Sequence, residues 1–339
     1  MQVLNEKSFS ALLQASGPPE QGKVKMNLLA HVYGAGVQAR NALYSRGALP
    51  VQRLQGPVVS IGNLSVGGSG KTPFVILLGE LLRDRGVNFD VLSRGYGRNT
   101  RGTILVDPGG SARDFGDEPL LIARRLQVPV IVGEDRYQAG VLAETQFGLQ
   151  LHLLDDGFQH RALARDFDIV LVTPDDVRDR LLPAGRLREP LASLRRADAI
   201  VLTGGVSVDS FPHEGRLVWR VSRGISPTNV SSRPIAFCGI ARPSSFFWQL
   251  RAAGVEPAAE AVYRDHHAYT EQDIRQLLEL RDNCEGEGFV TTEKDSINLG
   301  EHLSALQPLA VVRVKMELAD AANAVDTMLR RIEERRRGA

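Results

Sequence analysis

Residues 58–73 constrain this chain more than any other stretch: Val-Val-Ser-Ile-Gly-Asn-Leu-Ser-Val-Gly-Gly-Ser-Gly-Lys-Thr-Pro. An apolar run, Val58 to Ile61, passes through a glycine-rich loop into Gly70-Lys71-Thr72 and then into a helix-compatible segment, Phe74 to Arg85. This is the strand, loop and helix order of a phosphate-binding P-loop. In such a loop the glycines (Gly67, Gly68, Gly70) and Ser69 let backbone N–H groups point at phosphate oxygens. Lys71 reaches the β/γ-phosphates, and the Thr72 hydroxyl holds Mg²⁺. The positive end of the helix dipole adds to the attraction, and Pro73 fits a first helical turn. The usual G-x-x-x-x-G-K-[ST] spacing wants glycine where this chain has Ser65, so the loop is a variant of the pattern.

At 339 residues the chain exceeds the usual size of one core, and two domains are expected. A net charge of +1 conceals an asymmetry. No acidic residue occurs from Gln21 to Gly79, whereas Lys23, Lys25, Arg40, Arg46, Arg53 and Lys71 are all basic. Cys238 and Cys284 form no C-x-x-C and no disulfide framework, which suits a reducing compartment and buried, unreactive roles. The first residues lack the pattern of a signal peptide, and the longest apolar candidate, Met26 to Ala39, is too short to span a bilayer. A location on the cytoplasmic side is expected.

Residues 1–22 read as a variable extension. Residues 23–50 form an N-terminal helix region in which Leu28, Leu29, Val32, Tyr33, Gly36 and Val37 recur at helical period between cationic flanks. Such a helix lies in a membrane interface or packs on the domain, and the pattern alone leaves both readings open. From 51 to 216 apolar strands alternate with helices, the mark of a mostly parallel sheet covered on both faces. Residues 217–339 read as a smaller C-terminal α/β domain, with a last helix, Ala321 to Arg337, that packs back on the core. The fold class is therefore α/β: a P-loop NTPase-like sheet, a smaller α/β unit and an N-terminal amphipathic helix.

Other chemistry clusters at strand ends, where such sheets bind ligands. Leu151 to Leu154 runs into Asp155-Asp156, a carboxylate pair suited to organising Mg²⁺ opposite Thr72. Arg94, Arg98, Arg186 and Arg188 are candidate cations for the charge that spreads during phosphoryl transfer, although arginine-rich loops are often only solvated. For a base, Asp117 and the Asp265-His266-His267 run stand out, because an imidazole beside a carboxylate accepts a hydroxyl proton near neutral pH. A helix cap for Asp117 and surface imidazoles for the pair are equally compatible with the spacing.

Taken in order, these motifs closely resemble the tetraacyldisaccharide 4′-kinases of lipid A biosynthesis. The resemblance begins at Tyr33-Gly34 and takes in the 58–73 loop, Ser93-Arg94-Gly95-Tyr96 and Gly116-Asp117-Glu118-Pro119. It continues through Asp155-Asp156-Gly157-Phe158-Gln159-His160, Leu182 to Glu189, Asp265-His266-His267 and Thr291-Thr292-Glu293-Lys294-Asp295. Ser65 is ordinary for that family, whose loop commonly has Thr or Ser there.

The resemblance implies ATP and Mg²⁺ as cofactors and a lipid A disaccharide 1-phosphate as acceptor. The product is the 1,4′-bisphosphate. It implies that Ser69, Lys71 and Thr72 handle the phosphates, that Asp155 and Asp156 assist the metal, and that Asp117 acts with His266, matched as the histidine directly after Asp265 and with His267 as the other candidate, as the deprotonating dyad. Tyr96, Gln159, Arg188 and Glu189 are implied to line the acceptor site, in a cleft between two α/β domains. The N-terminal helix is implied to rest on the membrane, making the protein peripheral at the cytoplasmic face of the inner membrane. A monomer with no nucleic-acid partner is expected. A membrane-cycling ATPase switch is the competing reading, but such loops carry a lysine where this chain has Val66. The Thr291 to Asp295 run has no role that the sequence explains.

Overall fold

The computed structural model describes residues 2–3, 20–148 and 151–338. Most of the expected extension, 1–22, lies outside these residues. In chain order the strands are β1 (Gln2–Val3), β2 (Val58–Asn63), β3 (Phe89–Ser93), β4 (Ile104–Leu105), β5 (Val130–Val132), β6 (Leu151–Asp155), β7 (Phe167–Val172) and β8 (Ala199–Thr203). They continue with β9 (Leu217–Ile225), β10 (Pro234–Cys238), β11 (Ala259–Val262), β12 (Gly288–Thr292), β13 (Leu309–Val312) and β14 (Val314–Leu318). The helices that matter for the site are α1 (Glu20–Ser45), α2 (Lys71–Arg83), α3 (Asp117–Leu126), α4 (Arg136–Phe147), α5 (Pro243–Ala252), α6 (Glu271–Asn283), α7 (Glu293–Leu299) and α8 (Ala321–Arg337).

Two sheets result. The larger has the order β14-β9-β8-β7-β2-β6-β3-β5-β4, parallel from β9 to β5 with an antiparallel strand at each edge. Every residue of β2, β3 and β6 is buried, which explains their continuous apolar runs: helices cover both faces, so no face needs polar side chains. Phe74, Val75, Leu78 and Leu82 seat α2 on this sheet. At Gly79 a side chain would meet Leu126 at 2.6 Å, so glycine sets the close crossing of α2 and α3. The smaller sheet, β1-β11-β10-β12-β13, is parallel except for β1 and has its own core around Phe237, Phe289 and Leu277.

The expected boundary between residues 216 and 217 differs from the observed one. Strand β9 pairs with β8 over its first half, as Ala199↔Leu217 to Thr203↔Val221, and with β14 over its second. Both strands therefore belong to the larger sheet, and the smaller unit is the insertion from about 226 to 313 that they bracket. An apolar strand pattern shows that a strand exists, but the sheet it joins is decided by long-range pairing. Helix α8 returns to the larger unit, where Arg335 and Arg336 reach Asp198 and Asp166.

Helix α1 docks along one edge of the loops that follow the parallel strands. Tyr33 donates to Arg188 O (3.0 Å), Arg40 to Gln159 O (3.0 Å), and Asn41 to Glu189 Oε2 (2.7 Å). Its other face is unpaired: Leu28, Leu29, Val32 and Leu43 are all exposed. No helix among the described residues is long and apolar enough to cross a membrane.

Candidate active site

Strand β2 delivers the chain into the glycine loop, and Gly67, Gly68 and Gly70 all adopt left-handed backbone, with φ of 76, 57 and 86°. Such angles cost little only for glycine. Gly70 caps α2 without any side-chain hydrogen bond, and the first turn of the helix carries no acid. The N–H groups at this helix end therefore stay available to an anion. Ser69 Oγ is buried with no partner beside them.

The β2–β6 register sets Ile61 opposite Asp155, which brings the carboxylate pair alongside the loop. Asp155 is nearly inaccessible; its Oδ2 accepts from Ser93 Oγ at 3.0 Å, and its Oδ1 has no partner. Burial, then Glu118 and Asp156, push its carboxyl up to about 7. Asp156 is the opposite case. Its place deep in the cleft opposes ionisation, but the guanidinium of Arg188, at 2.8 and 2.9 Å, and the ammonium of Lys71, at 3.4 Å, hold it far below the usual carboxylate range. Asn63 joins the group by accepting from Lys71 Nζ (3.0 Å) and from Arg188.

An orphaned buried carboxylate oxygen, a loop threonine and a phosphate-ready helix end fit Mg²⁺, which takes one or two carboxylates and completes its shell with phosphates and water. Among the described residues no group of three or more His, Cys, Asp or Glu side chains is arranged to hold a metal by itself.

Across the cleft stands the smaller unit. His266 Nδ1 donates to Asp117 Oδ2 at 2.8 Å, and Asn298 Nδ2 donates to the same oxygen at 3.1 Å. His266 has a left-handed backbone, φ 58°, held by its own N–H to Gly239 O (3.2 Å). Asp156 is also left-handed, φ 51°. Such conformations cost roughly 1–3 kcal/mol each and gather at functional sites. The hydrogen bond to Asp117 raises the imidazole above its ordinary range, against the opposing effects of burial and of Lys294. Burial opposes the charge of Asp117, but His266 and Lys294 prevail and lower it, so the carboxylate stays ionised. His267 faces away: its Nε2 meets Asp273 Oδ2 at 3.0 Å and its ring stacks on Tyr263.

The expected residues divide accordingly. The loop 67–72, Tyr96, Asp117, Asp155, Asp156, Arg188 and His266 line one cleft of about 1320 Å³. This exceeds the roughly 300–1,000 Å³ of a single small-ligand pocket, leaving room for a nucleotide and part of a second substrate. Gln159 and Glu189, expected at the acceptor, do not line it. The Glu189 carboxylate is buried against Arg196 (2.9 and 3.1 Å) and Asn41, and Gln159 donates to Asn63 O at 3.0 Å, so both support the site from behind. Among the candidate cations, Arg94 lines the cleft with Arg188, whereas Arg98 binds Glu134 and Arg186 binds Asp179 and Asp175.

Several contributors were not singled out by the sequence. Asn63 lies within the opening stretch and is a buried polar residue at the end of a mostly apolar strand, which is a usable signal. Arg223 and Arg242 line the cleft, and a side chain at Gly68 would meet Arg242 Nε at 3.0 Å. Arg223 is placed by the pairing of β9 with β14 and Arg242 by how the smaller unit folds back over the loop, and no local pattern encodes either.

Comparison with known proteins accords with this arrangement. The family model described as Tetraacyldisaccharide-1-P 4′-kinase matches residues 23–333. A protein named tetraacyldisaccharide 4′-kinase from Koribacter versatilis is 52% identical over 320 residues, covering 91% of this chain and 99% of that protein. One of the same name from Aquifex aeolicus is 39% identical over 288 residues, covering 80% of this chain and 88% of its own. The crystal structure of LpxK from Aquifex aeolicus, described as the "apo" form in complex with ATP, superposes with a TM-score of 0.75 at 35% identity, covering 91% of this chain and 99% of that one. A family match over nearly the whole chain, with relatives aligned along almost their full length, makes this chain a member of the tetraacyldisaccharide 4′-kinase family.

Proposed function

We propose that the protein transfers the γ-phosphate of ATP to the 4′-hydroxyl of a tetraacylated glucosamine disaccharide 1-phosphate, a lipid A precursor. The observation that carries this reading is the Asp117–His266 pair facing the P-loop across one cleft. Phosphoryl transfer asks mainly for alignment and charge compensation, and an alcohol acceptor also has a proton to lose. The 67–72 loop and the start of α2 bind the phosphates, Lys71 reaches the β/γ oxygens, and Thr72 with Asp155 or Asp156 holds Mg²⁺. When bound, Mg²⁺ neutralises phosphate charge and screens the two aspartates. His266 removes the hydroxyl proton, and Asp117 orients the ring and stabilises the imidazolium. Tyr96, exposed beside His266 at a ring distance of 5.7 Å, and Arg188 form the acceptor side.

Membrane contact belongs to the same reading. The exposed apolar face of α1, within a segment free of acids, supports peripheral attachment to an anionic surface at the cytoplasmic face of the inner membrane. The test is purified protein with labelled ATP, Mg²⁺ and the disaccharide acceptor in detergent. Label in the lipid is expected; hydrolysis of ATP with no labelled lipid would refute the reading.

A further inference from the structure

The Thr291-Thr292-Glu293-Lys294-Asp295 run joins β12 to α7, and four of its five side chains have structural work. Thr291 donates to Phe237 O (2.8 Å), and Thr292 caps α7 by accepting from Asp295 N (3.1 Å). Asp295, fully buried, accepts from Gly239 N (2.7 Å), Tyr269 Oη (2.9 Å) and Thr292 Oγ1 (2.6 Å). Glu293 accepts from Arg125 of α3 at 2.9 and 3.0 Å. The run thus fixes α7 against α3. Lys294 is the exception, since it points into the cleft.

Its ammonium lies 3.1 Å from His266 Nε2 and 3.0 Å from Asp265 Oδ1. It is also 3.7 Å from Glu118 Oε1 and 3.8 Å from Asp117 Oδ2. An ammonium has donors only, so in this contact Nε2 is an acceptor and the ring is neutral. The one ring proton is then on Nδ1, where it is donated to Asp117. From this geometry we infer that Lys294 is a positioning residue for the base: it keeps His266 as the neutral Nδ1–H tautomer and occupies the spot on Nε2 that the acceptor hydroxyl takes over. The inference rests on the reading of His266 as base.

The charges around the ring explain why such a cation is needed. The His266 ring meets Asp117 from α3, Asp265 from its own loop, Lys294 from α7 and the Tyr96 ring from the loop after β3, while Asn298 of α7 and Glu118 of α3 stand one contact further out, on Asp117 and on Lys294. Two carboxylates, Asp117 and Asp265, next to an imidazole with no cation would keep it protonated, and an imidazolium has no lone pair to offer. Lys294 sets a like charge against that protonation. When the hydroxyl arrives, the ammonium retains Asp265 and Glu118 as partners. The hydroxyl O–H bond then breaks with its proton passing to Nε2, the oxygen bonds to the γ-phosphorus, and the bond from that phosphorus to the β–γ bridging oxygen breaks with its electron pair leaving on ADP.

The experiment is ¹⁵N NMR of the full-length protein in detergent, with the His266 signal assigned by its loss in His266→Gln, alongside pH profiles of kcat/KM for Lys294→Met and Lys294→Arg. In the unsubstituted protein at pH 8 the ring is expected as the Nδ1–H tautomer. In Lys294→Met its titration and the acidic limb of the rate profile should move together to higher pH, by about one pH unit, the scale for losing a like charge at this range. Lys294→Arg should keep both near their original place. An Nε2–H tautomer in the unsubstituted protein overturns the inference whatever the variants do. So does a Lys294→Met protein that is less stable but titrates unchanged. Full turnover in His266→Ala would instead remove the base assignment, a separate outcome.

Discussion

His266 and Asp117 are 149 positions apart in the chain and 2.8 Å apart at Nδ1 and Oδ2. One comes from the loop after β11 of the smaller unit, the other from the first turn of α3 in the larger. The contact therefore exists only when the cleft is assembled, and an intact dyad reports on the relative placement of the two units.

Activity should fall as the pH is lowered through the raised titration of His266, because only the neutral ring accepts a proton. The acidic limb of kcat/KM is expected above the ordinary imidazole value of about 6.5, the direction set by Asp117. Asp117→Asn should move that limb down and lower kcat, and His266→Ala should lower kcat by about 10²-fold or more with little change in ATP binding. A limb left in place by Asp117→Asn would separate the two residues.

Asp155 predicts a trade between stability and activity. Burial raises its folded value to about 7, so the folded state binds more protons than the unfolded one as the pH passes from about 4 to about 7. Stability is lost over that window, and the penalty is complete above it. Asp155→Asn should accordingly raise the Tm of the nucleotide-free protein at pH 8, while lowering apparent Mg²⁺ affinity or turnover by at least about tenfold. A lower Tm at pH 8 would contradict the assigned cause.

The outer face of α1 is testable apart from the fold. Leu28, Leu29 and Val32 are 66, 56 and 64% exposed, so replacing all three with glutamate removes little packing. Thermal stability should be nearly unchanged, since exposed substitutions usually fall within about 0.5 kcal/mol. Co-sedimentation with vesicles containing anionic lipid should be largely lost. Undiminished binding would assign the contact to another surface.

At the opposite ends of β3 and β6, His152 is buried between Asp90 Oδ2 (2.8 Å) and Glu144 Oε1 (3.3 Å). With a carboxylate on each nitrogen both nitrogens donate, so the fold holds the imidazolium. Burial works against the charge, but Asp90 and Glu144 raise the ring above its ordinary range. The stability this supplies is fully present below the ordinary imidazole value and is lost as the pH rises through the raised one. His152→Ala should cost about 3 kcal/mol or more at pH 6, measured by urea unfolding, and less at higher pH, because it leaves buried carboxylates unpaired. Turnover of the folded protein should be unchanged, since Ser93 and Asp155 lie at the other ends of the same strands.

Local chemistry was legible where one short stretch carries the whole cause. The 58–73 run shows a buried strand, an anion-binding loop and a helix because its apolar residues, glycines and Lys71-Thr72 act within one turn of chain. The parallel larger sheet follows from uninterrupted apolar strands, and the α1 stripe from helical period. Glu189 shows the limit: the resemblance implies an acceptor-site residue, and the sequence around it does not show that Arg196 and Asn41 enclose its carboxylate. Strand β9 is similar, for its pattern is that of any half-buried strand and only its pairing with β8 decides its sheet.

The sequence by itself determined a P-loop α/β architecture, a carboxylate pair at the end of a strand and an acid-free N-terminal flank, since hydrophobic period, turn residues and charge act over a few positions. Only the tertiary structure decided that His266 rather than His267 meets Asp117, that Gln159 and Glu189 stand behind the cleft, and that Lys294 reaches the imidazole. The Asp117–His266 contact is set by how the 226–313 insertion closes over the larger sheet, the Lys294 contact by packing within that insertion, and the places of Gln159 and Glu189 by α1 and the strand-end loops; contacts between segments distant in the chain leave no local pattern to read.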